Sequence, residues 1–320
     1  MTEKESTINK YFWSDFSKIY KKPSLIDDHL IKNSNLIEAT LIKNFTERGL
    51  NQNYSIYANG AFGRKEMFPS SDIDISIIEN KNSTEDKINL EIFITKLWDL
   101  GFQVGHSVRS IADIKKISKN DLKEFTSYLT RRALISTPEI DIKISKTLNG
   151  VWSKKSFFNA KLLEQEERYS SYHSTAFNLE PDLKESPGCM RDFQTSLWIL
   201  QQCFNLNSYT QIKKSKEFSL EIESAINSYN FIKAMRFASN ILSNNNRLSF
   251  ESQLEISKSA KLNKNTGKES VEKMMKDFYG HASNLSNFNN LVFETFKEKN
   301  SFAIKKRFGD FYLKANKIGI

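Results

Sequence analysis

One alternating segment, Asp72-Ile73-Asp74-Ile75-Ser76-Ile77-Ile78, constrains the fold of this chain more than any other part of its sequence. Side chains on a β-strand point alternately to its two faces, so isoleucines at odd positions form an apolar face and the aspartates and serine form a polar face. The segment therefore predicts a strand that is buried on one side and carries two carboxylates on the other.

The surrounding residues predict a small α/β sheet around this strand. Residues 54–58 are β-branched or aromatic and end at Asn59-Gly60, which is typical of a strand followed by a turn. Residues 88–100 have apolar positions at helical spacing, and residues 102–109 again have the pattern of a strand. Strand, turn, strand, helix and strand follow one another within about sixty residues, which is the size of a small sheet domain.

Helical patterns dominate the rest of the chain. Residues 1–50 are predicted to be an N-terminal helical segment, and strand signals fade from residue 118 onward. The clearest later helices are predicted over residues 157–173, 192–204 and 271–297. The predicted fold class is α+β, with the divisions 1–50 (helical), 51–117 (α/β core), 118–300 (all-helical domain) and 301–320 (basic tail).

Charge and composition exclude several classes of protein. The 320 residues include 47 Lys and Arg against 38 Asp and Glu, a net charge of +9, but the basic residues are interspersed with acidic ones. This distribution favours a solvated surface over a nucleic-acid-binding patch. No apolar run reaches the roughly 18 residues of a membrane-spanning helix, and only two cysteines occur. We therefore expect a cytoplasmic protein that binds neither nucleic acid nor membrane.

The two aspartates and the preceding turn form a candidate metal and phosphate site. Carboxylates at positions i and i+2 of a strand have Cα atoms about 6.6 Å apart and leave the same face, so their oxygens can converge on one hard cation such as Mg²⁺. The backbone amides after Gly60 could hold phosphates, and Arg64 and Lys65 add positive charge.

Five separated motifs occur in the same order as in a known family. The sequence resembles the bacterial PII uridylyltransferases, members of the polymerase β-like nucleotidyltransferase superfamily, from about residue 12 to 300. The motifs that carry the resemblance are Gly60 to Asp74, Gly105-His106-Ser107-Val108-Arg109-Ser110, Asn178 to Asp192, Arg247 to Gln253 and Val271 to Tyr279.

The resemblance implies a fold, a reaction and a set of site residues. It implies a mixed-sheet nucleotidyltransferase domain followed by a helical domain, and transfer of UMP from UTP to a tyrosine of the PII nitrogen-regulatory protein. Asp72 and Asp74 would be the catalytic, Mg²⁺-binding pair. The nucleotide-binding residues would be Gly60, Ala61, Gly63, Arg64, Lys184 and Arg191.

Some roles remain open from the sequence. Many superfamily members supply a third carboxylate from a later strand, where this chain has His106 and Ser107, and we expect His106 to be structural rather than catalytic. The candidates for a third ligand or base are Glu66, Asp99 and Asp192. Lys184 and Arg191 have two interpretations: contacts to the nucleotide, or ion pairs with Glu185 and Asp192.

Two positions depart from the family pattern, which has glycine where Ala61 and Cys189 stand. A side chain at either position is strained if the backbone there has positive φ, and activity would then be reduced. Cys189 is expected to be a small buried residue rather than a nucleophile or metal ligand, since no His or Cys lies at ligand spacing.

Members of the family are usually longer than this chain. They add a metal-dependent phosphohydrolase domain that removes UMP and two glutamine-sensing ACT domains. The sequence has no His-Asp dipeptide and its four histidines are scattered. We expect uridylyl removal and glutamine sensing to be absent. Two alternatives stay open: transfer of AMP or another nucleotide to a protein, and a non-catalytic module that binds PII or a nucleotide.

Overall fold

The computed structural model describes residues 3–80, 84–172, 178–262, 267–300, 306–308, 311–314 and 317–319. The chain forms two compact units. The first unit consists of Met1–Ser156, Ala234–Asn246 and Lys258–Lys261, and the second of Phe157–Lys233, Arg247–Ser257 and Leu262–Ile320. The main division therefore falls after residue 156, whereas the sequence pattern predicts a boundary after residue 117.

The first unit contains a sheet and the helices that follow or precede its strands. In chain order its elements are α1 (Glu3–Lys21), α2 (Ile26–Glu47), β1 (Tyr54–Ala58), α3 (Gly60–Gly63), β2 (Ile73–Glu79), α4 (Thr84–Asp99), β3 (Val104–Arg109), α5 (Ile111–Asn120), α6 (Leu122–Leu129), β4 (Arg132–Ile135) and α7 (Pro138–Leu148). The helices predicted within residues 1–50 and 88–100, and the strands predicted at 54–58, 72–78 and 102–109, are confirmed to within a few residues.

The four strands form one mixed sheet in the order β3-β2-β1-β4. β1 pairs antiparallel with both β2 and β4, and β2 pairs in parallel with β3. The register of the parallel pair aligns Asp74 with Gly105 and Ser76 with Ser107. Because side chains aligned across a sheet share a face, these four residues lie on the same side of it.

The apolar face of the sheet is buried under helices. Ile73, Ile75 and Ile77 are no more than 2% exposed and belong to one cluster with side chains of α2 and α4, including Phe45 and Phe93. The predicted alternation of the strand is confirmed on this face. On the other face Ser76 is also buried, so β2 is exposed on its polar side only near its first residues.

The fourth strand is not predicted by the sequence pattern. β4 lies in the stretch after residue 118 that was predicted to be helical, and it pairs with β1. It is only four residues long and has no alternating pattern of its own, so its strand conformation depends on pairing with β1, more than seventy residues earlier in the chain.

The second unit is built mainly from helices. These elements are α8 (Lys154–Ser171), α9 (Met190–Phe204), α10 (Tyr209–Lys213), α11 (Ile222–Ser243), α12 (Phe250–Ser259) and α13 (Gly267–Asn300), with α8, α11 and α12 contributing residues to both units. The helices predicted over 157–173, 192–204 and 271–297 are confirmed as α8, α9 and α13, except that position 173 lies outside the described residues. No helix in the described part of the chain is both long and apolar enough to cross a bilayer.

The predicted basic tail contains short strands where the structure describes it. β5 (Lys306–Phe308), β6 (Phe311–Lys314) and β7 (Lys317–Gly319) form an antiparallel sheet in that order. The other residues of 301–320 lie outside the described part of the chain.

Candidate functional site

The two aspartates lie at the start of β2. Asp72 is the residue before the strand, Asp74 is its second residue, and both are exposed. The backbone N–H of Asn59, at the end of β1, donates to the carbonyl oxygen of Asp74 across 2.9 Å. The hydrogen bonding of β1 to β2 therefore continues to the position of Asp74 and fixes the β1–α3 turn beside it.

The carboxylate of Asp74 lies between two glycines. A Cβ atom added to Gly60 would be 2.9 Å from Asp74 Oδ2, and one added to Gly105 would be 2.9 Å from Asp74 Oδ1. Real Cβ atoms do not approach other heavy atoms this closely, so the two glycines form a cradle for the carboxylate. Gly60 also has a positive φ of 53°, a conformation that favours glycine.

Next to Asp74, the same face of the sheet carries three hydrogen-bonded polar side chains, those of Asn59, Ser76 and Ser107. Asn59 is 5% exposed, and its side-chain amide donates to the hydroxyl of Ser76, which lies 3.3 Å from the hydroxyl of Ser107. The carbonyl oxygen Oδ1 of Asn59 is buried and accepts no hydrogen bond from the described residues. His106 instead aligns with Ile75, on the helix-covered face, and its ring lies 6.0 Å from that of Trp98. His106 is therefore on the opposite side of the sheet from Asp74.

The turn after β1 closes into the short helix α3. The N–H of Gly63 donates to the carbonyl of Asn59 across 2.8 Å, and Asn59 gives α3 no side-chain cap. Because the first amides of a helix have no intrahelical acceptor, the N–H groups that open α3 are not used by the helix itself. Gly60, Ala61 and Gly63 thus lie in one compact turn beside Asp74.

The two basic residues after this turn, Arg64 and Lys65, contact neighbouring side chains. Arg64 Nε lies 2.8 Å from Glu66 Oε2. Lys65 has a left-handed backbone, with φ 58°, and its Nζ donates to Asn35 Oδ1 of α2 across 2.9 Å. In this structure both side chains make ion-pair or hydrogen-bond contacts within the first unit.

The candidates for a third ligand occupy different environments. Glu66 is buried and pairs with Arg64, whereas Asp99 is exposed at the end of α4. Asp192, in the second unit, is completely buried, and Arg168 Nη2 donates to its Oδ1. Within the described ranges no three His, Cys, Asp or Glu side chains are grouped so that they could hold a metal ion. Asp72 and Asp74 therefore remain the proposed pair, and the third ligand stays unassigned.

Lys184 and Arg191 form an ion-pair cluster in the second unit. Arg191 Nη2 lies 2.9 Å and Lys184 Nζ 3.8 Å from Glu185 Oε1. Burial opposes ionisation of Glu185, but hydrogen bonds from Arg191 and the nearby cations outweigh it and lower the pKa of this carboxyl. Of the two interpretations, these contacts match the ion pair with Glu185, whereas Asp192 pairs with Arg168 instead. The predicted nucleotide contacts of both residues stay a prediction.

Comparison with known proteins identifies the family. The model of the GlnD PII-uridylyltransferase family matches residues 156–293. A bifunctional uridylyltransferase/uridylyl-removing enzyme of Haemophilus influenzae (strain PittEE) is 37% identical over 279 residues, which cover 84% of this chain and 32% of that enzyme. The enzyme of the same name from Aliivibrio fischeri (strain MJ11) is 34% identical over 77% of this chain and 29% of its own length.

The chain belongs to the PII-uridylyltransferase family. It spans about a third of the length of the curated relatives it matches. The matched ranges include both structural units, which confirms the resemblance stated from the sequence motifs.

The two departures from the family pattern are accommodated without backbone strain. Ala61 is helical, and Cys189, the residue before α9, has φ −101° and ψ −167°. Neither is among the described non-glycine residues with positive φ. The condition for strain is therefore not met. Cys189 is completely buried, and burial raises the pKa of its thiol, as expected for a packing residue rather than a nucleophile.

Sequence reasoning missed the part that Gly105 and Asn59 play at this site. Both belong to motifs or turns that the sequence made visible, but their positions beside Asp74 follow from strand register. The alignment of β3 with β2 could have been predicted only by assuming which strands pair and in which direction.

Proposed function

We propose that this chain is a nucleotidyltransferase that transfers UMP from UTP to a tyrosine hydroxyl of a PII signalling protein. The observation that carries the proposal is the Asp74 carboxylate in its two-glycine cradle, two residues after Asp72, in a chain of the PII-uridylyltransferase family. The names of the relatives supply the uridylyl group, the name of the family supplies the acceptor protein, and the site supplies groups suited to binding a metal-bound triphosphate.

The residues at this site fit a divalent cation such as Mg²⁺. Carboxylate oxygens are the ligands that Mg²⁺ prefers, and the cradle leaves space at Asp74 that any larger residue at position 60 or 105 would fill. Asp72 and Asp74 would hold the ion. Bound Mg²⁺ would supply positive charge that binds the triphosphate and stabilises the charge developing on it.

The chain itself would bind and orient the reactants. The opening amides of α3 would hold outer phosphates, because a helix start directs N–H groups toward an anion. In the reaction the tyrosine oxygen forms a bond to the α-phosphorus of UTP and the bond to the leaving pyrophosphate breaks. The hydroxyl proton passes to a base that we leave unassigned.

Labelled nucleotides test this proposal. The protein is incubated with Mg²⁺, purified trimeric PII and each α-³²P-labelled ribonucleoside triphosphate in turn. We expect label on PII from UTP, release of pyrophosphate, and loss of labelling when the acceptor tyrosine of PII is changed to phenylalanine.

Other outcomes of this experiment would support one of the two alternative functions. Labelling of PII from ATP rather than UTP supports adenylyl transfer. Binding of UTP or PII without label transfer contradicts the enzymatic proposal and supports a non-catalytic binding module.

A further inference from the structure

The presence of glycine at position 105 is explained by one neighbouring atom, Oδ1 of Asp74. Its backbone is not in the left-handed region, unlike that of Gly60, so its conformation in β3 does not require glycine. A Cβ added there would lie 2.9 Å from Asp74 Oδ1, and no other atom of the described structure beyond its chain neighbours lies within 4 Å of that Cβ. The Asp74 carboxylate is therefore the one group of the described structure that a Cβ at this position would crowd.

Glycine inside a strand is otherwise unfavourable, because it has no side chain to pack and loses much conformational entropy on folding. Gly105 is also exposed on a strand at the end of the sheet, where a β-branched or polar residue would be ordinary. Glycine at position 105 therefore lowers the stability of the strand. Its presence is accounted for by the space that it leaves for the Asp74 carboxylate.

From this geometry we propose that Gly105 is a positioning residue for Asp74. Together with Gly60 it holds the carboxylate so that each oxygen rests against a bare Cα, in the orientation that binds a divalent cation. This inference rests on the proposed function, because it assigns Gly105 to the metal site of that function.

The same register explains why β3 carries no acidic residue beside Asp74. Many members of the superfamily that the sequence resembles supply a third carboxylate from a later strand. At the aligned position a Cβ would lie 2.9 Å from Asp74 Oδ1, and the next residue on the same face, Ser107, lies beside Ser76 instead. A carboxylate at position 105 would both displace Asp74 and place a second negative charge against it.

The test is the Gly105→Ala variant of the full chain, with Mn²⁺ as a probe of the metal site. Binding of Mn²⁺ is measured by electron paramagnetic resonance in the absence of nucleotide, so that it is independent of catalysis. Because a crowded carboxylate must leave its preferred rotamer, we expect Mn²⁺ affinity to fall about 3- to 10-fold. The melting temperature should stay unchanged or rise slightly, since alanine is more favourable than glycine in a strand.

Two further variants show whether Gly105 acts through Asp74. His106→Ala changes the same strand on its other face and should leave Mn²⁺ affinity unchanged. In a chain that already carries Asp74→Asn, adding Gly105→Ala should cause no further loss of affinity.

The outcomes separate this inference from the proposed function. Gly105→Ala with parental Mn²⁺ affinity overturns the inference, as does an equal loss with and without Asp74, or a parent chain that binds no Mn²⁺. If the parent binds Mn²⁺ in a Gly105-dependent way but transfers no UMP, the positioning role stands and the proposed function fails.

Discussion

Arg168 of α8 donates to the carboxylate of Asp192 across 2.5 Å, and the aspartate is completely buried. Tyr169 and the backbone N–H of Gly188 also donate to Asp192, each across 2.6 Å. The other terminal nitrogen of Arg168, Nη1, donates to the backbone carbonyl oxygen of Glu185 across 2.6 Å. The pair ties α8 to α9, which carries Asp192, and the bonds to Glu185 and Gly188 tie it to the preceding loop, which carries Lys184.

Removing the carboxylate of Asp192 should destabilise the second unit strongly. Asp192→Ala would leave the guanidinium of Arg168 without its buried partner, and breaking a buried ion pair in this way costs about 3–5 kcal/mol. We expect that loss in the free energy of unfolding, measured by urea denaturation at neutral pH. As a matched control, Glu223→Ala removes an exposed partner of Lys213 and should change stability by less than about 1 kcal/mol. Equal effects of the two variants would contradict the structural role of the pair.

Restoring glycine at the two positions that depart from the family pattern should not raise activity. Neither Ala61 nor Cys189 has the positive φ that would make its side chain strained. Ala61→Gly should instead lower the free energy of unfolding by about 0.5–1 kcal/mol, as glycine does in helices. Cys189→Gly removes a buried side chain and should also lower the melting temperature. The check is UMP transfer and thermal unfolding of both variants. A several-fold gain in transfer would show that these side chains obstruct the site.

Stability should fall in mild acid partly because of His281. Burial lowers the pKa of His281, whose Nδ1 lies 3.0 Å from the Ser228 hydroxyl and whose ring stacks on Phe231. In the pH range between this lowered pKa and the ordinary value of about 6.5, the unfolded chain binds more protons than the folded one, so stability rises with pH.

The variant His281→Gln removes this proton linkage. The difference in melting temperature between pH 7.5 and pH 5.5 should therefore be smaller in the variant than in the parent. His106→Gln, which replaces an exposed histidine of the first unit, is measured alongside it for comparison. An unchanged pH dependence in His281→Gln would contradict the assignment.

The sequence allowed prediction of the local parts of the fold and site, and the structure was needed for those that depend on pairing. The alternating pattern of β2 and the helical periodicity of α4 and α13 are properties of short segments, so they could be predicted. β4 could not, because four residues become a strand only through β1. Asp72 and Asp74 were visible as a motif, but the contact of Asp74 with Gly105 depends on the register of a parallel strand pair.

The ion pairs of the second unit also could not be predicted from the sequence alone. Lys184, Glu185, Arg191 and Asp192 are near one another in sequence, and their spacing allowed several pairings. Arg168, which takes Asp192 as its partner, lies on α8 before the segment and was not considered from the sequence. Tertiary packing thus decided which charges pair.

The most direct test of the central claim is UMP transfer by the Asp74→Asn variant. Asp74 is exposed, so the substitution should leave the melting temperature near that of the parent. Loss of a metal ligand should reduce transfer of label from UTP to PII by about 100-fold or more. Asp72→Asn should reduce UMP transfer in the same way. The control is Glu91→Gln, an exposed change on α4, which should transfer UMP as the parent does. Transfer within tenfold of the parent by the folded Asp74→Asn variant would contradict the account.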